Sequence, residues 1–160
     1  MEILITGGAG FIGSHILEAL QGRPDVKVVV FDNLSGGSRE HVPAGMELIE
    51  GDICDREGLD TVFRNHSFAA VIHLAAQTMV PFSVAQPIVD CRINLEGVLQ
   101  VLEGCRKYKV PHILFSSSAA VYGDNLNIPL DEGDRLLPTS PYGVTKMTTE
   151  HYLRVYHELY

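Results

Sequence analysis

Short runs of apolar, mostly β-branched residues alternate along the chain with longer segments in which apolar positions recur every three or four residues. The short runs predict five strands, at Glu2–Thr6, Val26–Phe31, Met46–Glu50, Ala70–Leu74 and His112–Ser116. Most of these runs are continuous rather than alternating, as is typical of strands that are covered on both faces. The pattern therefore predicts an α/β fold in which parallel strands are joined by helical crossovers.

The longer segments predict the helices. We expect helices over Phe11–Gln21, Arg56–Asn65 and roughly Ile88–Lys107, and a last helix that begins near Tyr142. Only a loop fits between the second and third strands, and composition also indicates a loop at Thr78–Ser83. Right-handed crossovers then predict a doubly wound, Rossmann-like parallel sheet with the strand order 3-2-1-4-5.

Length, composition and charge limit the classes of protein. A chain of 160 residues with 46% hydrophobic and 20% charged residues is typical of one folded globular domain. The formal net charge of -8 would repel nucleic acid and anionic membranes over most of the surface. We therefore expect neither nucleic acid nor a membrane as a partner, and an anionic ligand would have to be held locally by backbone N–H groups or a few cations.

The cysteines and histidines indicate the compartment and the absence of a metal. The three cysteines are scattered and form no C-x-x-C pair, and the seven histidines show no metal-binding spacing. No apolar stretch approaches the ~20 residues that span a bilayer, and no basic segment of the signal-peptide type precedes the first strand. These patterns favour a cytoplasmic protein without a metal site.

The first predicted strand leads into the segment TGGAGFIG, in which Gly7, Gly10 and Gly13 are spaced three apart. Gly7 would permit a tight turn, Gly10 would let the backbone approach a pyrophosphate, and Gly13 would let the helix pack closely. Phe11 and Ile12 complete the loop at the start of that helix, where free N–H groups would face the phosphates. Because glycines also occur in plain turns, the loop alone is weak evidence for a dinucleotide.

An acidic residue at the end of the second strand strengthens this interpretation. Asp32 follows the glycine loop by about 20 residues, where a carboxylate can bind a ribose diol. Its charge would repel the 2′-phosphate of NADP, and Asn33 and Leu34 supply no cation. The sequence therefore predicts NAD as the cofactor, although Arg39 lies in the same loop and Asp32 alone would also suit the cap of a turn.

The G-x-x-G-x-x-G spacing resembles that of the extended short-chain dehydrogenase/reductases. The similarity continues through Gly51-Asp52-Ile53, His73-Leu74-Ala75-Ala76, Asn94–Gly97, Phe115–Gly123 (FSSSAAVYG) and Ser140–Lys146 (SPYGVTK). These features occur in family order across nearly the whole chain. The resemblance implies further cofactor contacts from the following residues: Asn33, Asp52, Ile53, Leu74, Ala75, Ala76, Asn94, Tyr142 and Lys146. His73, which has apolar neighbours, is more simply interpreted as a hydrogen-bonded core residue.

Tyr142 and Lys146 are the candidate catalytic pair. They are four residues apart, so a helix places them on one face, where an ammonium group would favour the phenolate over the phenol. Tyr142 would then act as a general base. A packed tyrosine with a solvated lysine is the plain alternative. The resemblance further implies that Ser118 is the catalytic hydroxyl and that Lys146 orients the nicotinamide ribose, whereas Ser116 and Ser117 fit the end of a strand.

Within the family, the segments DNLSGG and SSSAAVYGDN are most similar to the nucleotide-sugar 4-epimerases that act on UDP-hexoses. Ala119-Ala120 stands where the related dehydratases carry an Asp-Glu pair. The resemblance implies oxidation of a sugar at C4 by NAD to a 4-keto intermediate, followed by return of the hydride to the other face. Another nucleotide-sugar dehydratase, decarboxylase or epimerase of the same family, or a non-catalytic dinucleotide-binding module, remains an alternative.

The resemblance also bears on assembly and length. Family members usually dimerise through the helices that here carry Asn94 and Tyr142. Apolar candidates for that surface are Val98, Val101, Val144, Met147 and Val155. Because family members are about twice this length, we expect residues 1–160 to form one incomplete NAD-binding domain that precedes the small substrate domain. Such a chain would bind NAD without turning over a nucleotide sugar on its own.

Overall fold

The computed structural model describes residues 1–160 and contains one sheet of five parallel strands. The strands lie in the order β3-β2-β1-β4-β5. Their bounds are β1 Glu2–Thr6, β2 Lys27–Asp32, β3 Glu47–Glu50, β4 Ala70–His73 and β5 Ile113–Phe115. The predicted fold class and strand order are confirmed, and each strand boundary differs from its prediction by at most one residue.

Six α-helices accompany the sheet, and none of them is long and apolar enough to cross a membrane. They are α1 Phe11–Leu20, α2 Arg56–Asn65, α3 Val80–Ala85, α4 Pro87–Cys91, α5 Gly97–Tyr108 and α6 Pro141–Leu159. A π-helical turn at Arg92–Glu96 connects α4 directly to α5, so this stretch matches the single long helix that was predicted. Short 3-10 helices lie at Arg39–His41 and Ala119–Tyr122.

The expectation of a loop at Thr78–Ser83 was wrong, because α3 begins at Val80. A proline lies in the first turn of α3, where its fixed φ favours a helix start. The hydroxyl of Ser83 donates to the carbonyl of Val80 at 2.7 Å. A helix of only six residues is too short to show helical periodicity in the sequence.

The chain forms two compact units. The first comprises Met1–Ala76 and Gln100–Ser116 and contains the whole sheet. The second comprises Gln77–Leu99 and Ser117–Tyr160 and contains α3, α4, the π turn, the 3-10 helix at Ala119–Tyr122 and α6.

The two strands β1 and β2 are buried on both faces within the first unit. Ile3 and Ile5 of β1 pack in one cluster with Leu17 of α1, whereas Leu4 between them is fully buried outside that cluster. Consecutive strand residues point to opposite faces, so a strand covered on both sides needs apolar residues at every position. This explains the continuous apolar runs in the sequence.

The second unit is organised around α6, which contacts α3, α4, the π turn and the 3-10 helix at Ala119–Tyr122. The buried residues of α6 recur at helical spacing along one stripe, and most of them are polar: Tyr142, Gly143, Thr145, Lys146 and Thr149. A stripe facing the interior is ordinarily apolar. The polar stripe therefore requires hydrogen-bond partners on the neighbouring elements.

A small charged network lies where β1 and β2 begin. The carboxylate of Glu2 accepts from Lys27 Nζ at 2.8 Å and from the backbone N–H of Ser67 at 3.2 Å, and it lies 3.0 Å from His66 Nδ1. Burial alone would raise the pKa of Glu2, but the hydrogen bonds from Lys27, His66 and Ser67 outweigh it and lower this pKa from 4.5 to about 2. The ionised carboxylate therefore stabilises the folded state.

We predict that Glu2→Gln removes a pH-dependent part of the stability. The folded-state pKa is below the unfolded value, so the contribution is present above pH 4.5 and is lost as the pH falls toward about 2. Denaturant unfolding should show E2Q less stable than the parent chain at pH 7, with the difference shrinking below pH 4.5. Glu18→Gln, at a carboxylate that is 68% exposed, is the control. An E2Q deficit that is constant with pH would contradict the assignment.

Candidate functional site

The glycine loop after β1 is packed against the end of β4. Gly7 has φ +72°, and its N–H donates to the carbonyl of Phe31 at 2.9 Å. A Cβ atom at Gly7 would lie 2.4 Å from the backbone nitrogen of Ala75 and 2.7 Å from the carbonyl carbon of Leu74. Only glycine satisfies both the left-handed backbone and this close approach. The loop and two of the predicted cofactor residues thus meet at one edge of the sheet.

Gly10 and Gly13 determine how α1 begins. Gly10 is the N-cap and provides no side-chain cap, so the first N–H groups of the helix are left available for an anion. A Cβ at Gly13 would lie 2.5 Å from Gly8 Cα, which shows that the helix packs directly on the loop. Phe11 is 79% exposed and Ile12 is 55% exposed in the same first turn. Uncapped N–H groups therefore lie beside two exposed apolar side chains.

Asp32 ends β2 and connects that strand to the glycine loop. One carboxylate oxygen accepts from the N–H of Ala9 at 2.9 Å, and the other accepts from the N–H of Leu34 at 2.8 Å. Asp32 therefore caps the following turn, which was the alternative interpretation of this residue from the sequence. A carboxylate has about four acceptor positions, so two remain for the hydroxyls of a ribose.

The role of Gly37 in this site was not predicted from the sequence. A Cβ at Gly37 would lie 2.4 Å from the carbonyl oxygen of Ala9, and that oxygen also accepts from the N–H of Ser38 at 3.2 Å. The signal was present in the DNLSGG segment, where two glycines follow the acidic residue. Arg39, two residues after Gly37, donates to the carboxylate of Glu50 at 2.9 Å.

Asn33 and Asp52 join the ends of β2 and β3. The amide of Asn33 donates to one carboxylate oxygen of Asp52 at 3.0 Å, and the N–H of Cys54 donates to the other at 2.8 Å. Ile53 between them is 5% exposed. Asn33 and Asp52, both predicted to contact the cofactor, are therefore hydrogen-bonded to each other in the first unit, and the side chain of Ile53 beside them is buried.

His73 is a core residue, which confirms its interpretation from the sequence. It is 1% exposed, and its Nδ1 lies 2.7 Å from Thr6 Oγ1. Its ring also stacks on that of Phe115, with centroids 6.0 Å apart. Ala75 donates to Thr6 Oγ1 at 3.5 Å, and Ala76 after it is half-buried. The β4 motif thus combines a buried histidine with a strand end that lies against the glycine loop.

In the second unit, α6 begins just before Tyr142. Ser140 is its N-cap and accepts from the N–H of Gly143 at 3.1 Å, and Pro141 occupies the first turn. Tyr142 and Lys146 are 8% and 4% exposed, and Lys146 Nζ lies 5.8 Å from the centroid of the Tyr142 ring. The predicted sharing of one helix face is confirmed. The alternative of a solvated lysine is wrong.

The environment of Lys146 changes its acidity. Burial lowers the pKa of Lys146 from 10.5 to about 8, and the negative charge of Asp90 opposes this by raising it. The side chain is therefore mainly an ammonium ion at pH 7.

Ser118 lies at the start of the 3-10 helix Ala119–Tyr122, where its hydroxyl accepts from the N–H of Ala120 at 3.2 Å. This helix contacts α6: a Cβ at Gly143 would lie 2.5 Å from the carbonyl oxygen of Ala120. Because Gly143 follows Tyr142 directly, this contact brings the turn that carries Ser118 against the start of α6. Ser117 instead hydrogen-bonds to Glu150.

Asn94 lies in the π turn and is 1% exposed. Its amide binds both backbone groups of Gln77, accepting from the N–H at 2.8 Å and donating to the carbonyl at 2.9 Å. The hydroxyl of Thr149 donates to the Asn94 carbonyl at 3.2 Å, which connects the π turn to α6. π turns are frequent at functional sites. Asn94 is thus a buried connector within the second unit.

Ser83 is a second residue that sequence analysis missed. It is fully buried, and its hydroxyl accepts from the N–H of Tyr142 at 3.1 Å. That N–H lies in the first turn of α6, where backbone N–H groups have no acceptor within the helix itself. Ser83 therefore helps to fix the position of the candidate base.

The family comparison agrees with this geometry. The model of the NAD dependent epimerase/dehydratase family matches residues 3–160. The chain therefore belongs to this family.

Among curated relatives, the chain is 43% identical to a UDP-glucose 4-epimerase of Azospirillum brasilense over 153 residues, which is 96% of this chain and 44% of the relative. It is 42% identical to a putative UDP-glucose 4-epimerase of Methanocaldococcus jannaschii over 99% of this chain and 52% of the relative. The chain thus spans about half the length of the relatives it matches.

Solved structures agree in fold. The UDP-glucose 4-epimerase of Thermus thermophilus, in complex with NAD, superposes with a TM-score of 0.95 at 44% identity over 100% of this chain and 52% of that one. The Thermotoga maritima enzyme with UDP-glucose gives a TM-score of 0.95 at 41% identity, with the same coverage of both chains. These scores confirm the doubly wound fold.

We predict that Gly7→Ala disrupts the glycine loop through its contact with β4. Gly22→Ala is the matched control, because Gly22 also has positive φ, at +77°, but nothing lies within 4 Å of an added Cβ. Both substitutions place alanine in the left-handed region, at about 1–2 kcal/mol. G7A should lose clearly more free energy of unfolding than G22A, as chemical denaturation would measure. Equal losses would show that the contact with Ala75 does not matter.

Proposed function

We propose that this chain is the NAD-binding part of a nucleotide-sugar 4-epimerase that acts on UDP-hexoses, with residues 1–160 as its dinucleotide-binding domain. The observation that carries the proposal is the buried pair of Tyr142 and Lys146 on one face of α6, against the turn that Ser118 begins. The relatives support it, since two that are 43% and 42% identical to this chain are named UDP-glucose 4-epimerase and putative UDP-glucose 4-epimerase.

The first unit suits a dinucleotide. Gly7 and Gly37 leave the loop backbone open to close approach, α1 offers uncapped N–H groups beyond Gly10, and Asp32 retains acceptor positions for a ribose. By family resemblance, Asp52 and Ile53 lie on the adenine side, and Leu74, Ala75 and Ala76 complete the contacts of this unit. Asn94, in the second unit, is a further cofactor residue by the same resemblance. NAD is the form expected because Arg39 is already paired with Glu50.

The catalytic residues would handle one proton. NAD, when bound, supplies the acceptor for a hydride from the sugar C4 and returns it. The phenolate of Tyr142 takes the proton of the sugar 4-hydroxyl, and Lys146 favours that phenolate by its charge. The Ser118 hydroxyl shares a hydrogen bond with the same sugar oxygen. The epimer would form when the hydride returns to the opposite face of C4 in the 4-keto sugar and Tyr142 gives its proton back to the 4-oxygen.

The methyl side chains at Ala119 and Ala120 favour epimerisation over dehydration. Elimination of water from a sugar needs a carboxylic acid near the catalytic hydroxyl to protonate the leaving oxygen. These two residues follow Ser118 directly and carry no such group. Epimerisation needs only the proton that Tyr142 takes and returns.

We predict that the chain prefers NAD to NADP and that Asp32→Ala removes the preference. A hydrogen bond to a charged group contributes about 1.5–3 kcal/mol, so D32A should lose roughly 10- to 100-fold in NAD affinity by calorimetric titration. Arg39→Ala is the control, and we expect it to leave NAD affinity unchanged. Similar affinity of the parent chain for the two cofactors would sink the assignment of Asp32 to the ribose.

The reaction itself is tested by conversion of UDP-galactose to UDP-glucose, measured with the protein that carries this chain. We predict that Tyr142→Phe lowers the rate by about 10²–10⁴-fold, as for loss of a general base, without abolishing NAD binding. Tyr152→Phe, at a 38% exposed tyrosine of the same helix, should keep the full rate. NAD binding without conversion of any nucleotide sugar by the parent protein would favour a non-catalytic dinucleotide-binding module.

We further propose a homodimer that pairs α6 and the helix carrying Asn94, in a cytoplasmic protein whose three cysteines are free. Val144 and Val155 on α6 are 44% and 41% exposed and suit such a surface, whereas Val98 and Val101 are buried and do not belong to it. We predict a dimer by light scattering and a shift toward monomer in Val155→Lys. A parent protein that stays monomeric at high concentration would refute the dimer.

A further inference from the structure

Asp90 is a buried carboxylate that the proposed reaction does not use. It lies on α4 in the second unit and is 0% exposed. One of its oxygens accepts from Gln77 Nε2 at 2.7 Å and from Asn94 Nδ2 at 3.0 Å, and the other accepts from Thr145 Oγ1 at 3.1 Å. Three donors from three segments thus hold the carboxylate in one place.

A buried cation lies next to one of these donors in the chain. Lys146 directly follows Thr145 and is 4% exposed. A buried charge is costly unless an opposite charge and hydrogen bonds compensate for it. In the second unit, Asp90 and Lys146 are buried charges of opposite sign, and Asp90 acts on Lys146 electrostatically.

The other titratable groups of these elements are less suited to act on Lys146. Cys91 follows Asp90 on α4, and Arg92 and Glu96 lie in the π turn; all three are exposed. Tyr122 lies in the 3-10 helix, and α3 has no titratable side chain. On α6 itself, Tyr142 lies one turn before Lys146, and Glu150 lies one turn after it and is bonded to Ser117. Asp90 is therefore the buried negative charge available to Lys146.

We propose that Asp90 is a positioning residue, whose carboxylate keeps the Lys146 ammonium charged and, through Asn94 and Thr145, holds α4 and the π turn against α6. This rests on the proposed function, in which that ammonium favours the Tyr142 phenolate and binds the nicotinamide ribose. Without the carboxylate, burial alone would act on Lys146, which would lose its proton at a lower pH.

The test is a direct titration of Lys146 by NMR with ¹³C-labelled lysine. The chain has only four lysines, Lys27, Lys107, Lys109 and Lys146. Partners raise the pKa of Lys27 and Lys107, whereas that of Lys146 is lowered to about 8, so its signal is expected to be distinct. Loss of the signal in Lys146→Met completes the assignment.

Asp90→Asn is the key variant because it removes the charge at nearly constant shape. The new amide oxygen keeps the bonds from Gln77 and Asn94. The new amide nitrogen donates to Thr145 Oγ1, whose own proton stays with the carbonyl of Tyr142 at 2.9 Å. We expect the titration midpoint of Lys146 to move below that of the parent chain and the other three lysines to stay unchanged.

Two further variants separate charge from structure. Glu150→Gln also removes a carboxylate close to Lys146 in the same unit, and we expect a smaller shift than in D90N. Asp90→Ser is a second neutral variant in case D90N folds poorly, and we expect the same direction of shift. An unchanged Lys146 midpoint in the folded neutral variant, or an equal shift in E150Q, would overturn the inference.

The pH dependence of NAD affinity tests whether the charge of Lys146 matters for the proposed function. In the parent chain, NAD affinity should fall as the pH rises through about 8, where Lys146 loses its charge. In D90N we expect that fall at a lower pH, whereas a merely structural defect would lower affinity equally at every pH. If the parent chain did not bind NAD, the proposed function would fail, and the NMR titration would still decide whether Asp90 keeps Lys146 charged.

Discussion

The first unit depends on close contact between backbones around the glycine loop. The carbonyl of Ala9 accepts from Ser38 while its N–H donates to Asp32, and Gly7 lies against Ala75. Side chains at Gly7, Gly13 or Gly37 would place a Cβ atom 2.4–2.5 Å from another backbone atom. The ends of β1, β2 and β4 can approach the same loop only because these side chains are absent.

The second unit depends on compensation of buried polar groups. The inner stripe of α6 carries the buried Lys146 together with Thr145 and Thr149, whose hydrogen-bond partners come from α4 and the π turn. An apolar stripe of the same shape would pack without these requirements. The polar stripe instead holds the buried ammonium group of Lys146 beside the ring of Tyr142. The catalytic role proposed for Tyr142 and Lys146 would explain a helix face that stability alone would not favour.

Local patterns predicted much of this molecule. Strand order followed from continuous apolar runs and the handedness of crossovers, and the helical pattern placed the start of α6 near Tyr142, one residue from its observed start at Pro141. The α3 helix escaped notice because six residues are too few to show a period. Asp90 escaped as well, since an acidic residue on a short helix is most often solvated, and only its burial reveals its partners.

The sequence by itself determined the fold class, the glycine loop with Asp32 at the end of the next strand, and the spacing that aligns Tyr142 with Lys146. All of these depend on residues near one another in the chain or on a repeated pattern. Tertiary structure alone decided that Ser83 receives the N–H of Tyr142, that Gly37 closes on Ala9, and that Asp90 is buried in the unit of Lys146. These contacts join segments that are distant along the chain, and no local periodicity or spacing encodes which of them will meet.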